Sequence, residues 1–216
     1  MFQDKYKPKS SKEIIGQDDA LYQLKDNISK KINSLIYGKT GTGKTSSIYA
    51  IANDLGCEVV EINASDFGKK DNIDLVLGNA VNQRSLFFKG KLILIDEIDS
   101  FSGRHDRGVV QNIVKIIQKS DFPVVITAND PFDKKFSSLK KVCKYIEFPN
   151  LDYLHVYEHL KKVVENENIN DFDDKIVRTI SRISKGDMRA ALIDLFTAIN
   201  SGSLDSIGDR ENEEEL

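Results

Sequence analysis

A three-layer α/β domain built on a parallel sheet, followed by a small all-helical domain, is the fold class this sequence predicts. Three observations predict it. A glycine-rich stretch, Gly38-Lys39-Thr40-Gly41-Thr42-Gly43-Lys44-Thr45, sits between a strand-like and a helix-like segment. Short apolar runs of strand length then alternate with helical patterns, and after Pro149 the strand-like runs stop. With 216 residues, the chain can bury one substantial core and carry a small second domain.

The elements follow in order. Apolar residues Ala20, Leu21, Leu24 and Ile28 recur at helical spacing over residues 18–32. A short strand over residues 34–37 enters the glycine-rich stretch, and a helix over 44–55 is expected to end at Gly56, where a left-handed cap costs nothing. Residues 57–62 read as a second strand, 73–80 as part of a helix, and 91–95 as an almost purely apolar strand. That continuous pattern fits the buried centre of a parallel sheet better than a half-exposed hairpin. Residues 108–118 read as a helix through Val109, Ile113, Ile116 and Ile117; strands at 123–127 and 145–148 complete the domain. In the second part, 153–164 is helical, Asp171 caps a helix lined by Ile176, Ile180 and Ile183 that ends at Gly186, and Asp187 caps another. The buried stripe of that last helix is Met188, Ala191, Leu192, Leu195, Phe196 and Ile199. The division expected is 1–149 for the α/β domain, 150–202 for the small helical domain and 203–216 for an acidic, disordered tail.

Composition excludes some classes of function. Hydrophobic residues are 40% and charged residues 30%, and the longest apolar runs fall far short of the ~20 residues a bilayer helix needs, so no membrane role is expected. The start, MFQDKYKPKS, has no apolar segment of the signal-peptide kind, which places the expected location in the cytoplasm. Cys57 and Cys143 stand in no paired spacing and read as two buried, reduced thiols. His155 and His159 fall four apart on one helix without a third ligand nearby, and do not read as a metal site. The net charge of -3 is uneven: residues 201–216 hold Asp205, Asp209, Arg210, Glu211, Glu213, Glu214 and Glu215, which sum to -5 and leave +2 for residues 1–200. An acidic total is therefore no argument against a nucleic-acid partner, which responds to the local field.

The glycine-rich stretch matches GxxxxGK[ST] in full, with the required strand before and helix after. Its glycines let the backbone wrap a phosphate chain, so that several N–H groups and a helix N-terminus point at one anion. Lys44 is placed to reach β and γ phosphates and Thr45 to offer its hydroxyl to Mg²⁺. The strand at 91–95 ends in Asp96 and Glu97. Asp96 can hold Mg²⁺ through its water shell, and Glu97, one residue further out, can orient and activate an attacking water. Asn129 ends the strand that can lie beside it, with an amide for the γ-phosphate or the water; standing alone it would read as a turn former before Pro131. Arg189 opens a helix, where a cation is slightly unfavourable for the dipole, and so is better explained by a bound anion than by solvent.

These four elements together resemble the AAA+ ATPases, whose core is a P-loop NTPase fold with a helical lid. Further residues resemble the clamp-loader family: Lys5-Tyr6-Lys7-Pro8-Lys9 with Ile14-Ile15-Gly16-Gln17 is similar to the lead-in of replication factor C subunits, and Asn63-Ala64-Ser65-Asp66 and Asp106-Arg107-Gly108 with Gln111 are similar to the large subunit of the archaeal form and to its eukaryotic counterpart. The resemblance covers essentially the whole chain through about residue 200. It implies ATP and Mg²⁺ as cofactors, with Ile15 and Gly16 beside the adenine base. It implies as partners the clamp-loader small subunits, the trimeric PCNA sliding clamp and primer–template DNA. Leu139-Lys140-Lys141-Val142-Cys143 stands where small subunits carry Ser-Arg-Cys, so no arginine is available here for a neighbour's nucleotide. That absence fits a large subunit, whose own ATP would receive an arginine from an adjacent small subunit. Candidate contacts to DNA phosphates are Lys69, Lys70, Arg84, Arg104 and Arg107, each of which reads equally as a solvated surface charge. The clamp would meet residues 101–118, with Phe101, Val109 and Val110 supplying apolar contact. The collar domain and clamp-hooking peptide with which large subunits continue are not in the sequence, as expected of a fragment or of the first product of a split gene. Another AAA+ motor, such as a helicase loader, and a nucleotide-binding scaffold with little turnover are the alternatives. The missing arginine argues against the first, and intact Lys44, Asp96 and Glu97 against the second.

Overall fold

The computed structural model describes residues 5–62, 88–100, 106–169 and 172–201. Within these the chain sorts into two units. A sheet unit contains Pro8–Gly38 and Lys44–Phe148; a helical unit contains Lys39–Gly43, residues 5–7 and the described residues from Pro149 onward. The helix expected at 73–80, the segment 63–66, Lys69, Lys70, Arg84, Phe101, Arg104, Asp171 and the tail 203–216 lie outside the described residues, as does the side chain of Arg107.

Five strands form one parallel sheet: β1 (Ser34–Tyr37), β2 (Cys57–Ile62), β3 (Gly90–Ile95), β4 (Val124–Ala128) and β5 (Lys144–Glu147), in the order β2-β3-β4-β1-β5. Period-two alternation divides the core between its faces. Leu35, Ile93, Ile95, Val124 and Ile126 pack with Val109, Val110, Ile113, Ile116 and Ile117 of helix α3 (Asp106–Lys119). Ile36, Leu92, Leu94, Val125 and Ile146 pack on the other face with Leu21, Leu24 and Ile28 of α1 (Asp18–Ser29) and Ile48 and Ile51 of α2 (Lys44–Leu55). Both faces are covered, which is why β3 and β4 are apolar almost throughout. Each large aliphatic side chain buried here contributes about 1.5–3 kcal/mol of transfer free energy.

Several expectations are corrected. Helix α1 ends at Ser29 rather than Ile32, because Lys31 turns left-handed at φ 56° and the N–H groups of Lys31 and Ile32 bond back to the carbonyls of Ile28 and Asn27. Helix α3 is longer than 108–118 by two residues at its start and one at its end. Val109 and Val110 are buried in the sheet core and are therefore not free to contact a clamp. Cys143 is a buried thiol, pushed up to about 12 by desolvation, whereas Cys57 is only half-buried.

The helical unit packs α4 (Tyr153–Asn166), α5 (Asp174–Ile183) and α6 (Met188–Ser201) around Leu151, Val156, Leu160, Val163, Val177, Ile180, Ala191 and Leu195. Asp152 caps α4 by accepting from the His155 N–H at 2.8 Å. Asp173, not Asp171, caps α5, accepting from the Lys175 N–H at 2.9 Å. The reason is a hydrophobic staple: Phe172 precedes the cap and Val177 follows it by four, and both belong to the same cluster. Phe196, expected in the buried stripe of α6, is 42% exposed. The Tyr6 hydroxyl donates to Glu167 Oε1 at 2.5 Å; burial first and that bond second push the phenol up to about 12. His159 is half-buried, and desolvation, with Lys162 nearby, holds its imidazole below the ordinary value. No helix among the described residues is long and apolar enough to cross a membrane.

Gly186 leaves no room for a side chain. Its φ is +90°, and a Cβ there would lie 2.5 Å from the Leu151 carbonyl oxygen. Gly186→Ala is expected to destabilise the helical unit by about 1–3 kcal/mol, read as an earlier denaturant midpoint of helix loss; an unchanged midpoint would contradict the packing described.

Candidate functional site

Because β1, β3 and β4 run parallel and adjacent in pairs, their C-terminal ends open on one edge of the sheet. The register sets Ile95 beside Ile126, and Ile36 and Tyr37 beside Thr127 and Ala128. One step further along each strand come Gly38, Asp96 and Asn129, residues far apart in sequence. In open α/β sheets this end, where strand order reverses around β1, is where ligands bind.

The side chains of the sheet unit meet there. Lys44, in the first turn of α2 and only 9% exposed, donates from Nζ to the Gly38 carbonyl at 2.7 Å and to Asn129 Oδ1 at 3.1 Å. Thr45 Oγ1 lies 3.0 and 3.2 Å from the two carboxylate oxygens of Asp96. Glu97 has an exposed side chain and a left-handed backbone at φ 50°, and its N–H donates to Thr127 Oγ1 at 2.8 Å. The Thr127 hydroxyl in turn donates to Asp96 Oδ1 at 2.5 Å. The start of the segment after β4 is held by Asp99, whose Oδ2 accepts from the N–H of Asn129 at 2.6 Å and of Asp130 at 3.3 Å. On α2, the Tyr49 phenol is pushed up to about 12, by burial first, then by its bond to Glu61, with the charge of Asp96 adding to the effect.

The rest of the glycine-rich loop, Lys39–Gly43, belongs to the helical unit. There the Gly41 carbonyl accepts from the Met188 N–H at 3.1 Å, and Thr42 Oγ1 donates to the Lys39 carbonyl at 2.9 Å. Gly41 has φ +71°, and a Cβ on it would lie 1.9 Å from Asp187 Oδ1, so only glycine fits against that carboxylate. Asp187 caps α6 by accepting from the Ala190 N–H at 2.9 Å. Arg189, exposed, follows directly on Met188. Thr40 is exposed on the loop; Ile15 is half-buried, and Gly16 turns at φ 67° just before α1.

The structure thus brings Gly38, Lys44, Thr45, Asp96 and Asn129 together by direct hydrogen bonds, and sets the Glu97 backbone beside them. It adds Thr127 and Asp99, which the sequence reading left out, while in the helical unit Asp187 takes the capping place expected of it. A threonine inside an otherwise apolar strand and an acid two residues past Glu97 were the available signals. The donor set suits a hard cation: the Thr45 hydroxyl and Asp96 carboxylate are oxygen donors, and Mg²⁺ takes one or two carboxylates with phosphate and water oxygens. A buried lysine amine between the Gly38 carbonyl and the Asn129 amide is suited to a phosphate oxygen.

Asp99→Ala would remove the carboxylate that holds two backbone donors, a bond class worth about 1.5–3 kcal/mol. Hydrogen exchange at the Asn129 and Asp130 amides is expected to speed up by about tenfold or more, with the interior of β1 unchanged. Exchange at native rates would remove Asp99 from the account.

The sequence of residues 34–150 matches the family described as ATPase family associated with various cellular activities (AAA), and residues 158–199 match the RCF1/5-like, AAA+ ATPase lid domain. The chain is 46% identical over 220 residues to the replication factor C large subunit of Nanoarchaeum equitans, covering 97% of this chain and 51% of that protein. It is 40% identical over 199 residues to the large subunit of Staphylothermus marinus (88% and 47%), and 34% identical over 228 residues to that of Thermofilum pendens (99% and 55%). The chain therefore spans about half the length of the relatives it matches. The parallel α/β core, the helical lid and the matched residues establish that this chain belongs to the AAA+ ATPase family and is related to the large subunits of archaeal replication factor C.

Proposed function

We propose that the chain is the ATP-hydrolysing module of a replication factor C large subunit, which with clamp-loader small subunits places the PCNA sliding clamp on primer–template DNA. The observation that supports it most is the convergence of Lys44, Thr45, Asp96 and Asn129 at one end of the sheet, in a chain similar to such large subunits over nearly its whole length. The domain division proposed is 1–149, 150–202 and 203–216, and the place of action is the cytoplasm, at the nucleoid if the source is archaeal.

In this reading the backbone N–H groups of the 38–45 loop hold the β and γ phosphates, and Lys44 exchanges its bonds to Gly38 and Asn129 for phosphate oxygens. Thr45, by its hydroxyl, and Asp96, through the water shell, would hold Mg²⁺, which would supply charge neutralisation on the phosphates. Glu97 accepts a proton from the attacking water as a general base, and the Asn129 amide orients that water or the γ-phosphate. Arg189, in the unit that also carries Lys39–Gly43, adds a cation for the γ-phosphate, and Ile15 and Gly16 line the base. Leu139-Lys140-Lys141-Val142-Cys143 carries no arginine. An arginine from a neighbouring small subunit would then complete this chain's own site, and turnover is efficient only in the assembly. Contacts to DNA through Lys69, Lys70, Arg84, Arg104 and Arg107 would hold phosphates without reading bases.

Glu97→Gln tests the proposal. It is expected to leave ATP binding intact and to slow single-turnover hydrolysis in the reconstituted complex by about tenfold or more, a barrier change of ~1.4 kcal/mol. Unchanged hydrolysis would remove Glu97 from the role of base.

A further inference from the structure

We propose that Thr127 is a positioning residue for both acids of the site, holding Asp96 and Glu97 in their working directions through one buried hydroxyl. The inference rests on the ATPase reading and extends it to a residue to which that reading gives no contact with nucleotide or metal.

Strand alternation puts Val124, Ile126 and Ala128 in the cluster with α3, and Val125 in the cluster with α1 and α2. Thr127, fully buried, therefore occupies a place that packing alone would give to valine. A hydroxyl there costs free energy unless its donor and acceptor capacity is used. Both are used, and both on residues that follow β3. The O–H goes to Asp96 Oδ1 at 2.5 Å, and the lone pair takes the Glu97 N–H at 2.8 Å.

The two bonds do different work. Asp96 Oδ1 also receives Thr45 Oγ1 at 3.0 Å, so Thr127 and Thr45 together fix the carboxylate's rotation and leave Oδ2 turned to Thr45 at 3.2 Å. Glu97 has a left-handed φ of 50°, which is costly for a residue with a side chain and persists only where its surroundings impose it. Its anchored N–H is one such constraint, and it sets the direction in which the Glu97 side chain leaves the backbone. Because Thr127 stands two residues before Asn129 on the same strand, one strand end aligns the metal-binding acid, the base and the amide.

Thr127→Val keeps the shape and removes both bonds; Thr127→Ser keeps both bonds and removes a methyl. Two readouts on the full chain decide. ATP affinity is measured in EDTA and across a Mg²⁺ titration, and single-turnover hydrolysis is measured with small subunits, clamp and primed DNA. Expected for Thr127→Val are native affinity in EDTA, a half-saturating Mg²⁺ concentration raised by about threefold or more, and hydrolysis slowed by about tenfold or more. Thr127→Ser is expected to restore both. A purely structural role would shift the unfolding midpoint without moving the Mg²⁺ dependence. Native Mg²⁺ dependence and rate in Thr127→Val, with hydrolysis lost in Glu97→Gln, would overturn the proposal and leave the ATPase reading standing. A wild-type chain that hydrolyses nothing in the full mixture would overturn that reading instead; the Mg²⁺ titration would then still decide Thr127, a native curve in Thr127→Val overturning it.

Discussion

The parallel register of β3, β4 and β1 is the constraint on which the candidate site depends. Setting Ile95 beside Ile126 and Ile36 beside Thr127 brings Asp96 to the Thr127 hydroxyl and sets Asn129 at the same end of the sheet, where its Oδ1 meets the Lys44 amine. A slip of one residue would turn each strand's side chains to the opposite face, exchanging the two halves of the core. The same burial that stabilises the sheet therefore fixes the geometry at its end. The polar residues there are held mainly by one another: Lys44 by Gly38 and Asn129, Asp96 by Thr45 and Thr127, and the start of the Asn129 segment by Asp99.

Much of this was legible in the sequence because the signals were local. Ser34–Tyr37, Lys44–Leu55 and Cys57–Ile62 fall where hydrophobic period and the glycine-rich stretch place them, and Lys44, Asp96 and Asn129 follow from their motifs. What escaped depends on tertiary context. Helix α1 closes on a left-handed lysine, Lys31, and α4 on Asn168 at φ 54°, neither preceded by glycine, so the backbone bonds that end them leave little trace in composition. The cap of α5 is decided by where Phe172 can pack rather than by the first available acid. Phe196 carries the right spacing for burial and is exposed among the described residues, which spacing alone could not foresee. Val109 and Val110, apolar and close to the acidic pair, suggested a docking surface, yet they complete the core under the sheet. Thr127 and Asp99 were missed because their roles lie in what they bond, not in any motif.

A family relationship and a geometry bear on different parts of the functional reading. Membership of the AAA+ ATPases and the polar cluster at the strand ends concern nucleotide chemistry, whereas the clamp and DNA belong to the proposed function, and the chain spans about half of the relatives it matches. In the proposed reading Leu139-Lys140-Lys141-Val142-Cys143 would connect the two parts, since a subunit that offers no arginine to a neighbour's nucleotide would have a defined place in an ordered assembly.

The most direct test of that connection is steady-state ATP hydrolysis by this chain, alone and mixed with archaeal clamp-loader small subunits, PCNA and primed DNA. The account predicts slow turnover alone, a rise of about tenfold or more only in the full mixture, and loss of that rise on Lys44→Ala. Equal rates alone and in the mixture, with association of the subunits demonstrated, would contradict it.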